Sequence, residues 1–341
     1  MKTARLYAFD DIRIEEAPIP DPGPGDALMK TKACGICSGD VMPWYIEKKA
    51  PLVIGHEPAG EIVEIGKDVR SCRKGDRVFV HHHAPCLVCR FCRRGDHVQC
   101  DTWKTSQIIP GGISEYILVP SVNLEHDTLS LPASMSFEDG TLIEPTACVV
   151  KGLRRARIQR GDTVLVVGLG VMGMIHLLVL KEQGAGRIIA ADRVPYRLQK
   201  ALGFGADAVI DVNTTGLKDG LQNLTHGEMA ELVVVGPNSA DVMTQGLECV
   251  RPGGQALFFT PAKPAEKLTI DPNYLYFRDI NIITSYSCGP NDTAEARKLI
   301  EKKVVSAEKM VTHRFPIERT EEAFRLTSLA GNSLKALVVF Q

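Results

Sequence analysis

No run of about 18 apolar residues occurs anywhere in the chain, and its first stretch, MKTARLYAFDDIRIEE, has no apolar leader core. A spanning helix and a secretory leader are therefore not expected, and the cytoplasm is the expected compartment. An excess of one charge is missing too. The 40 basic residues against 41 acidic ones leave a net charge of -1, which offers no footprint for nucleic acid or an anionic membrane. There is no internal repeat and no polar low-complexity tract. With 44% hydrophobic and 24% charged residues over 341 positions, the composition predicts a globular, soluble protein of two domains. Small, near-neutral substrates or cofactors fit such a chain best.

A disulfide framework is also absent, although the chain has 10 cysteines. Cys86, Cys89, Cys92 and Cys100 cluster in CLVCRFCRRGDHVQC. Thiolates at that spacing on one loop can surround a tetrahedral zinc and leave no coordination position open, which describes a structural site. Reduced, unligated thiols so close together would be prone to oxidation. Arg90, Arg93 and Arg94 raise the thought of a nucleic-acid finger, but no recognition helix or wider basic patch accompanies them.

The texture of the chain changes once. The first 120 or so residues carry short β signals between Gly and Pro, such as EIVEIG, DRVFVHHH and SEYILVP, and predict an irregular all-β region. From about residue 160 apolar strands alternate with helical patterns: TVLVVG, RIIAAD, ADAVID, ELVVVG and GQALFF. That alternation predicts right-handed βαβ units and a parallel sheet. A helical stretch, TAEARKLIEKK, and a last apolar strand, KALVVF, close the chain.

GLGVMG, spanning Gly168, Gly170, Val171, Met172 and Gly173, follows the strand TVLVV and opens a helix. Alone the motif is weak. Here a second strand follows and ends on Asp192, which completes the dinucleotide-binding context. The glycines let backbone approach a pyrophosphate at the helix N-terminus. Asp192 suits the hydroxyls of an adenosine ribose and repels a 2′-phosphate, so NAD is expected over NADP; Arg193 beside it softens that exclusion.

The stretch CGICSGDVM, with Cys34 and Cys37, can be a redox couple, half of a zinc knuckle, or one metal ligand beside a bystander. Downstream lie GHE, with His56 and Glu57, and IEP, with Glu144. One thiolate, one imidazole and one or two carboxylates make a zinc site that keeps a position for substrate. Singly, His56 also reads as a satisfied core histidine and Glu144 as an ordinary helix-start residue.

In order along the chain, GICSGD, GHEPAGEIVEIG, GDRV, the four-cysteine lobe, GGISEY, LIEP, GLGVMG and RPGG resemble the zinc-containing medium-chain dehydrogenases, the alcohol, sorbitol and threonine dehydrogenase group. The resemblance covers essentially the whole chain. It implies a GroES-like irregular β-barrel catalytic domain over 1–147, a Rossmann NAD-binding domain over 148–285, and a C-terminal segment, 286–341, returning to the first. It also implies a catalytic zinc at Cys37, His56 and Glu57, with Glu144 as ligand or nearby carboxylate, a structural zinc in the lobe, and a homotetramer or dimer. The IEP form is more similar to the polyol and threonine enzymes than to the classical alcohol enzymes. Cys34 then becomes a small packed residue, as do Cys72, Cys148, Cys249 and Cys288.

The chain departs from that family at the proton relay. Two and five residues after the ligand cysteine, where many of these enzymes carry a hydroxyl and a histidine, stand Gly39 and Met42. Three histidines, His81 to His83, follow the strand DRVFV, and the family's pocket-lining position falls on His82. Strand alternation points His81 and His83 the opposite way. His82 is expected to contact a polar substrate or to move a proton, against the plain alternative of a solvated strand end. Trp44 and Trp103 could wall the pocket or simply pack between loops.

The expected activity is zinc-dependent, reversible oxidation of an alcohol, secondary or polyol-like, to a carbonyl with hydride transfer to NAD. Two rivals share the fold: a zinc-independent enoyl or quinone reductase, and a non-catalytic dinucleotide-binding protein.

Overall fold

The computed structural model describes residues 1 to 341, and the chain divides into two compact units: Met1–Ala147 with Cys288–Gln341, and Cys148–Ser287. No helix is long and apolar enough to cross a membrane.

The first unit is β-rich because its sequence is short alternating runs broken by Gly and Pro. In its seven-stranded sheet, Val311–Pro316, Lys335–Val339, Ala27–Gly35, Pro58–Ile65, Arg77–Val80 and Thr128–Ser130 follow in spatial order, with Tyr116–Val119 also paired to Ala27–Gly35. A smaller sheet joins Asp11–Glu16, Lys2–Ala8 and Leu52–Val53. The large sheet has apolar residues to bury on both sides. Cys34, Ile36 and Val338 pack with Leu6, Ile54, Phe315 and Phe324. Met29, Ile62, Val78, Val80, Ile117 and Val119 fill a second core.

The register of this sheet positions the chemistry. Cys34 pairs with Pro58 and Ala59 with Phe79 in antiparallel ladders. The strand Ala27–Gly35 therefore ends, and runs on to Cys37, where Pro58–Ile65 begins just after His56 and Glu57. Arg77–Val80 ends at the same edge and delivers His81 to His83. Three strand ends thus converge on one spot from distant parts of the sequence.

The second unit carries six parallel strands in the order Ala208–Asp211, Arg187–Asp192, Thr163–Val167, Ala230–Val235, Val250–Phe258, Asn281–Thr284. That is the doubly wound 3-2-1-4-5-6 arrangement expected from the strand–helix alternation. The runs TVLVV, RIIAAD and AELVVV are almost wholly buried, as parallel strands covered on both faces must be. Strand order reverses beside Thr163–Val167. The glycine-rich turn leaves that strand at Gly168, whose φ of 88° favours glycine and whose N–H donates to Ala191 O at 2.8 Å. A Cβ on Gly173 would lie 2.1 Å from Gly168 O, so only glycine lets the helix Val171–Gln183 start so close to the turn.

Candidate active site

In the first unit, ligand atoms of Cys37, His56 and Glu57 lie within 4.8 Å of one another. Each is held by a local device. Gly39 N–H donates to Cys37 Sγ at 3.3 Å, which favours a thiolate there. His56 Nδ1 meets Asp40 Oδ2 at 3.1 Å, so Nε2 is the nitrogen left to face a ligand. A carboxylate behind an imidazole is the usual support of a metal-binding histidine. Burial pushes His56 down, but Asp40 and the Cys37 sulfur outweigh it and hold its pKa well above the ordinary value. Burial pushes the Cys37 thiol up, with His56 pulling the other way. One sulfur, one imidazole nitrogen and carboxylate oxygen within this reach suit a zinc ion.

Glu57 has a second partner. Its carboxylate pairs with Lys335 Nζ, both side chains being almost wholly buried, and Lys335 also donates to Ile36 O at 2.9 Å. Burial opposes the ammonium charge, yet Glu57, followed by Cys37, raises Lys335 above its ordinary pKa. The pair requires Gly35, because a Cβ there would fall 1.8 Å from Glu57 Oε2 and 2.7 Å from Lys335 Cε. Neither Lys335 nor Asp40 was singled out by sequence. Lys335 reads as the solvated start of KALVVF, whereas it faces inward because Leu337 pairs with Gly35. Asp40 had a usable signal, being a carboxylate three residues from Cys37.

His82 and its neighbours take three directions once the strand ends at Val80. His81 Nδ1 meets Asp127 Oδ2 at 2.7 Å with both side chains buried. The His82 ring stands 4.8 Å from that of His56. His83 Nδ1 bonds Ser106 O, and its ring packs 4.5 Å from Trp103. Burial, reinforced by the charge on His56, keeps His82 well below the usual histidine pKa. Glu144, in the first turn of the helix Ile143–Ala156, lies in a donor group with His81 and His82. Gly39 and Met42 flank Cys37: a Cβ on Gly39 would be 3.5 Å from Cys37 Sγ and 4.0 Å from Met42 Cε. Cys34 is fully buried and burial pushes its thiol up to about 12, which makes it inert.

The lobe is built from one stretch. Cys89 and Cys92 Sγ atoms are 3.5 Å apart, Cys86 and Cys100 3.6 Å, and Cys86 and Cys92 4.0 Å. Zinc–sulfur bonds of about 2.3 Å in a tetrahedron place sulfurs about 3.8 Å apart, so the four thiols are spaced for one ion. Trp103 is buried against this cluster and serves as its packing. Trp44 is half-buried beside Tyr45, with ring centroids 5.9 Å apart.

In the second unit, Asp192 Oδ2 accepts from Leu169 N–H at 2.6 Å, and Oδ1 from the N–H groups of Arg193 and Val194 at 2.7 and 2.9 Å. A carboxylate can accept about four such bonds, so one acceptor direction stays open on Oδ2. A Cβ on Gly170 would meet nothing nearer than Arg197 Nη1 at 3.9 Å. Packing therefore leaves the surface of that turn open, as a pyrophosphate needs. Arg197, which the sequence reading passed over, stands at this turn, and burial pushes its guanidinium down.

Residues 23–128 match the family described as alcohol dehydrogenase GroES-like domain, and residues 171–302 match zinc-binding dehydrogenase. Sorbitol dehydrogenase of Ovis aries is 30% identical over 347 residues, which cover 98% of this chain and 94% of that protein. The solved structure of 2R,3R-butanediol dehydrogenase from Bacillus subtilis is 25% identical, with a TM-score of 0.88, covering 100% of this chain and 99% of that one. A zinc-binding dehydrogenase from Sinorhizobium meliloti 1021, bound to NADP, is also 25% identical with a TM-score of 0.88, covering 99% of each chain.

Proposed function

This chain belongs to the zinc-containing medium-chain dehydrogenase family, and from that premise we propose that it oxidises a secondary alcohol or polyol reversibly to the carbonyl, passing hydride to NAD. The convergence of Cys37, His56 and Glu57, with Asp40 behind the imidazole and an amide N–H on the sulfur, carries this reading. When bound, zinc supplies the Lewis acidity that eases loss of the hydroxyl proton, and nicotinamide accepts the hydride. Cys37 and His56 are the ligands. Glu57 is the carboxylate within reach of both, its charge shared with Lys335, and Glu144 acts on it as the further carboxylate of the site. Asp40 orients His56, and Lys335 compensates the buried Glu57. Cys86, Cys89, Cys92 and Cys100 hold the second, structural zinc.

In the second unit, Gly168, Gly170, Val171, Met172 and Gly173 cradle the pyrophosphate. Asp192 takes the ribose and, with its open acceptor direction, favours NAD over NADP. His82 faces the polar groups of the substrate, where Gly39 and Met42 have no proton to give or take. The same reading makes the protein a cytoplasmic homo-oligomer, tetramer or dimer, which light scattering would size.

The decisive experiment follows the near-ultraviolet absorbance of reduced nicotinamide in zinc-replete protein, given NAD or NADP with polyols, sugars, hydroxy acids and secondary alcohols. Reduction of NAD by one of the secondary alcohols or polyols is expected. Silence across the panel with zinc and cofactor bound would overturn the reading.

A further inference from the structure

Next to Cys37, the stretch Pro43 to Lys49 carries a buried indole N–H with no acceptor, on Trp44, and two lysines whose contacts are with a hydroxyl and two rings, not with a carboxylate. We propose that this stretch binds an anionic group of the substrate, a phosphate or a carboxylate, away from the reacting hydroxyl, so that the preferred substrate is a charged polyol derivative and not a neutral polyol. The proposal rests on reading the cluster at Cys37 and His56 as the place where the alcohol is oxidised.

The run MPWYIEKK places these groups. Met42 stands at the N-cap of the helix Pro43–Ile46, whose first-position proline sets its start, and the turn Glu47–Lys49 follows at once. A Cβ on Gly39 would lie 3.5 Å from Cys37 Sγ and 4.0 Å from Met42 Cε, so the stretch leaves directly from the Cys37 site. Trp44 and Tyr45 meet edge to face, with ring centroids 5.9 Å apart. Lys49 Nζ donates to the Tyr45 hydroxyl at 2.8 Å and lies 4.0 Å from the centroid of that ring, while Lys48 Nζ is 5.8 Å from the centroid of Trp44. Ring faces attract ammonium groups, and here they hold both against the stretch. Burial is the main cause that keeps His82 and His83 below the ordinary histidine pKa, and the Lys49 charge is one of those that add to it. The field of Lys49 therefore falls on His82, whose ring stands 4.8 Å from that of His56.

Exposed lysines on a turn are ordinarily just solvated, and Lys48 and Lys49 are exposed. Two features depart from that reading. Lys49 is folded back onto Tyr45, which costs side-chain entropy that an extended lysine keeps. Trp44 Nε1 is buried without an acceptor, a cost that an oxygen of a ligand would remove. Charge argues the same way. Asp40 and Glu57 are committed to His56 and Lys335, and in the turn itself the single carboxylate of Glu47 faces two ammonium groups. The charge left to act on a substrate is thus positive. Indole N–H and ammonium groups only donate, so the group they suit is an anion rich in acceptor oxygens. A hydroxyl of a neutral polyol can satisfy Trp44, but only a charged group gains from Lys48 and Lys49.

The test gives zinc-replete protein and NAD a matched set: a polyol, its terminal phosphate, and the hydroxy acid of the same length. The wild type is expected to oxidise one of the two anionic members with a kcat/KM about tenfold or more above that of the polyol, the gain lying in KM and shrinking as salt rises. Whether the phosphate or the hydroxy acid leads identifies the anion. Lys49→Gln should cut the charged-to-neutral ratio by about tenfold, and Lys49→Arg should keep most of it. Calorimetric titration with the same compounds in the presence of reduced nicotinamide, where no turnover occurs, should show the same loss of affinity. A kcat/KM for the neutral polyol equal to or above those of both anions, or a ratio unmoved in Lys49→Gln, would overturn the anion site and leave the dehydrogenase reading in place. Anion binding that Lys49→Gln weakens, without oxidation of any member of the set, would instead overturn the dehydrogenase reading and leave this site standing.

Discussion

The four-cysteine lobe and the Cys37 site are both thiol-bearing clusters in one unit, yet they are built in opposite ways. The lobe draws all its donors from residues 86–100 and needs only local turns to bring sulfurs within 3.5 to 4.0 Å. The Cys37 site takes its residues from the ends of separate strands and is braced by Asp40 and Lys335. A local cluster depends on its metal for order, whereas a site at the edge of a packed sheet depends on its fold and only then on metal. Mutations should separate these two dependencies.

Cys89→Ser should have the largest effect, releasing the lobe zinc and unfolding the lobe, because structural zinc contributes directly to folding. Metal analysis and local amide exchange over 86–100 would read it. Protection that survived the loss of zinc would break the contrast. Cys37→Ala should do the reverse: turnover falls by about a thousandfold or more, the several kcal/mol a metal Lewis acid supplies, with the melting temperature nearly unchanged. Steady-state kinetics beside calorimetry would show whether activity and stability part in this way.

Lys335→Met should cost about 3–5 kcal/mol, the usual penalty for stranding one member of a buried ion pair. Denaturant unfolding measures it, and an effect under about 1 kcal/mol would mean that Glu57 finds another partner. Gly35→Ala should damage the same pair by steric contact.

His176, outside both clusters, calibrates how much a buried imidazole with no charged partner costs; its Nδ1 meets the Met172 carbonyl at 2.8 Å. It is almost wholly buried against Phe259, and burial lowers its pKa from 6.5 to about 4. The folded protein therefore binds fewer protons than the unfolded chain between those values. Its contribution is intact above about pH 6.5 and lost as pH falls toward 4, by about 3 kcal/mol in all. His176→Leu should flatten that acid limb in unfolding curves taken at stepped pH.

Asp40→Ala should be the mildest of these, weakening metal at Cys37 and His56 by about 10- to 100-fold while leaving the lobe ion in place. Competition with a chelator would resolve the two ions. Equal loss from both would refute their independence.

Much of this architecture is legible without coordinates wherever its cause is local. Glycines at Gly168 to Gly173 after an apolar strand announce a turn that backbone geometry then requires. Cysteines at lobe spacing announce a cluster because a short loop cannot keep them far apart. The strand–helix alternation announces a parallel sheet, since helices between successive strands cover both faces of runs such as TVLVV.

The cluster at Cys37 is another matter. Cys37, His56 and Glu57 can be named from family resemblance, but no spacing rule brings Cys37 to the other two; the antiparallel register of Cys34 with Pro58 does. Lys335, Asp127 and Thr293 stay invisible in the sequence because each acts on a partner more than a hundred residues away or across a sheet. Periodicity along a chain reports which face a residue takes, and so it determined the two layers and their cores. Whether a buried charge meets its partner depends on which strands are neighbours, and that only the folded sheet could decide.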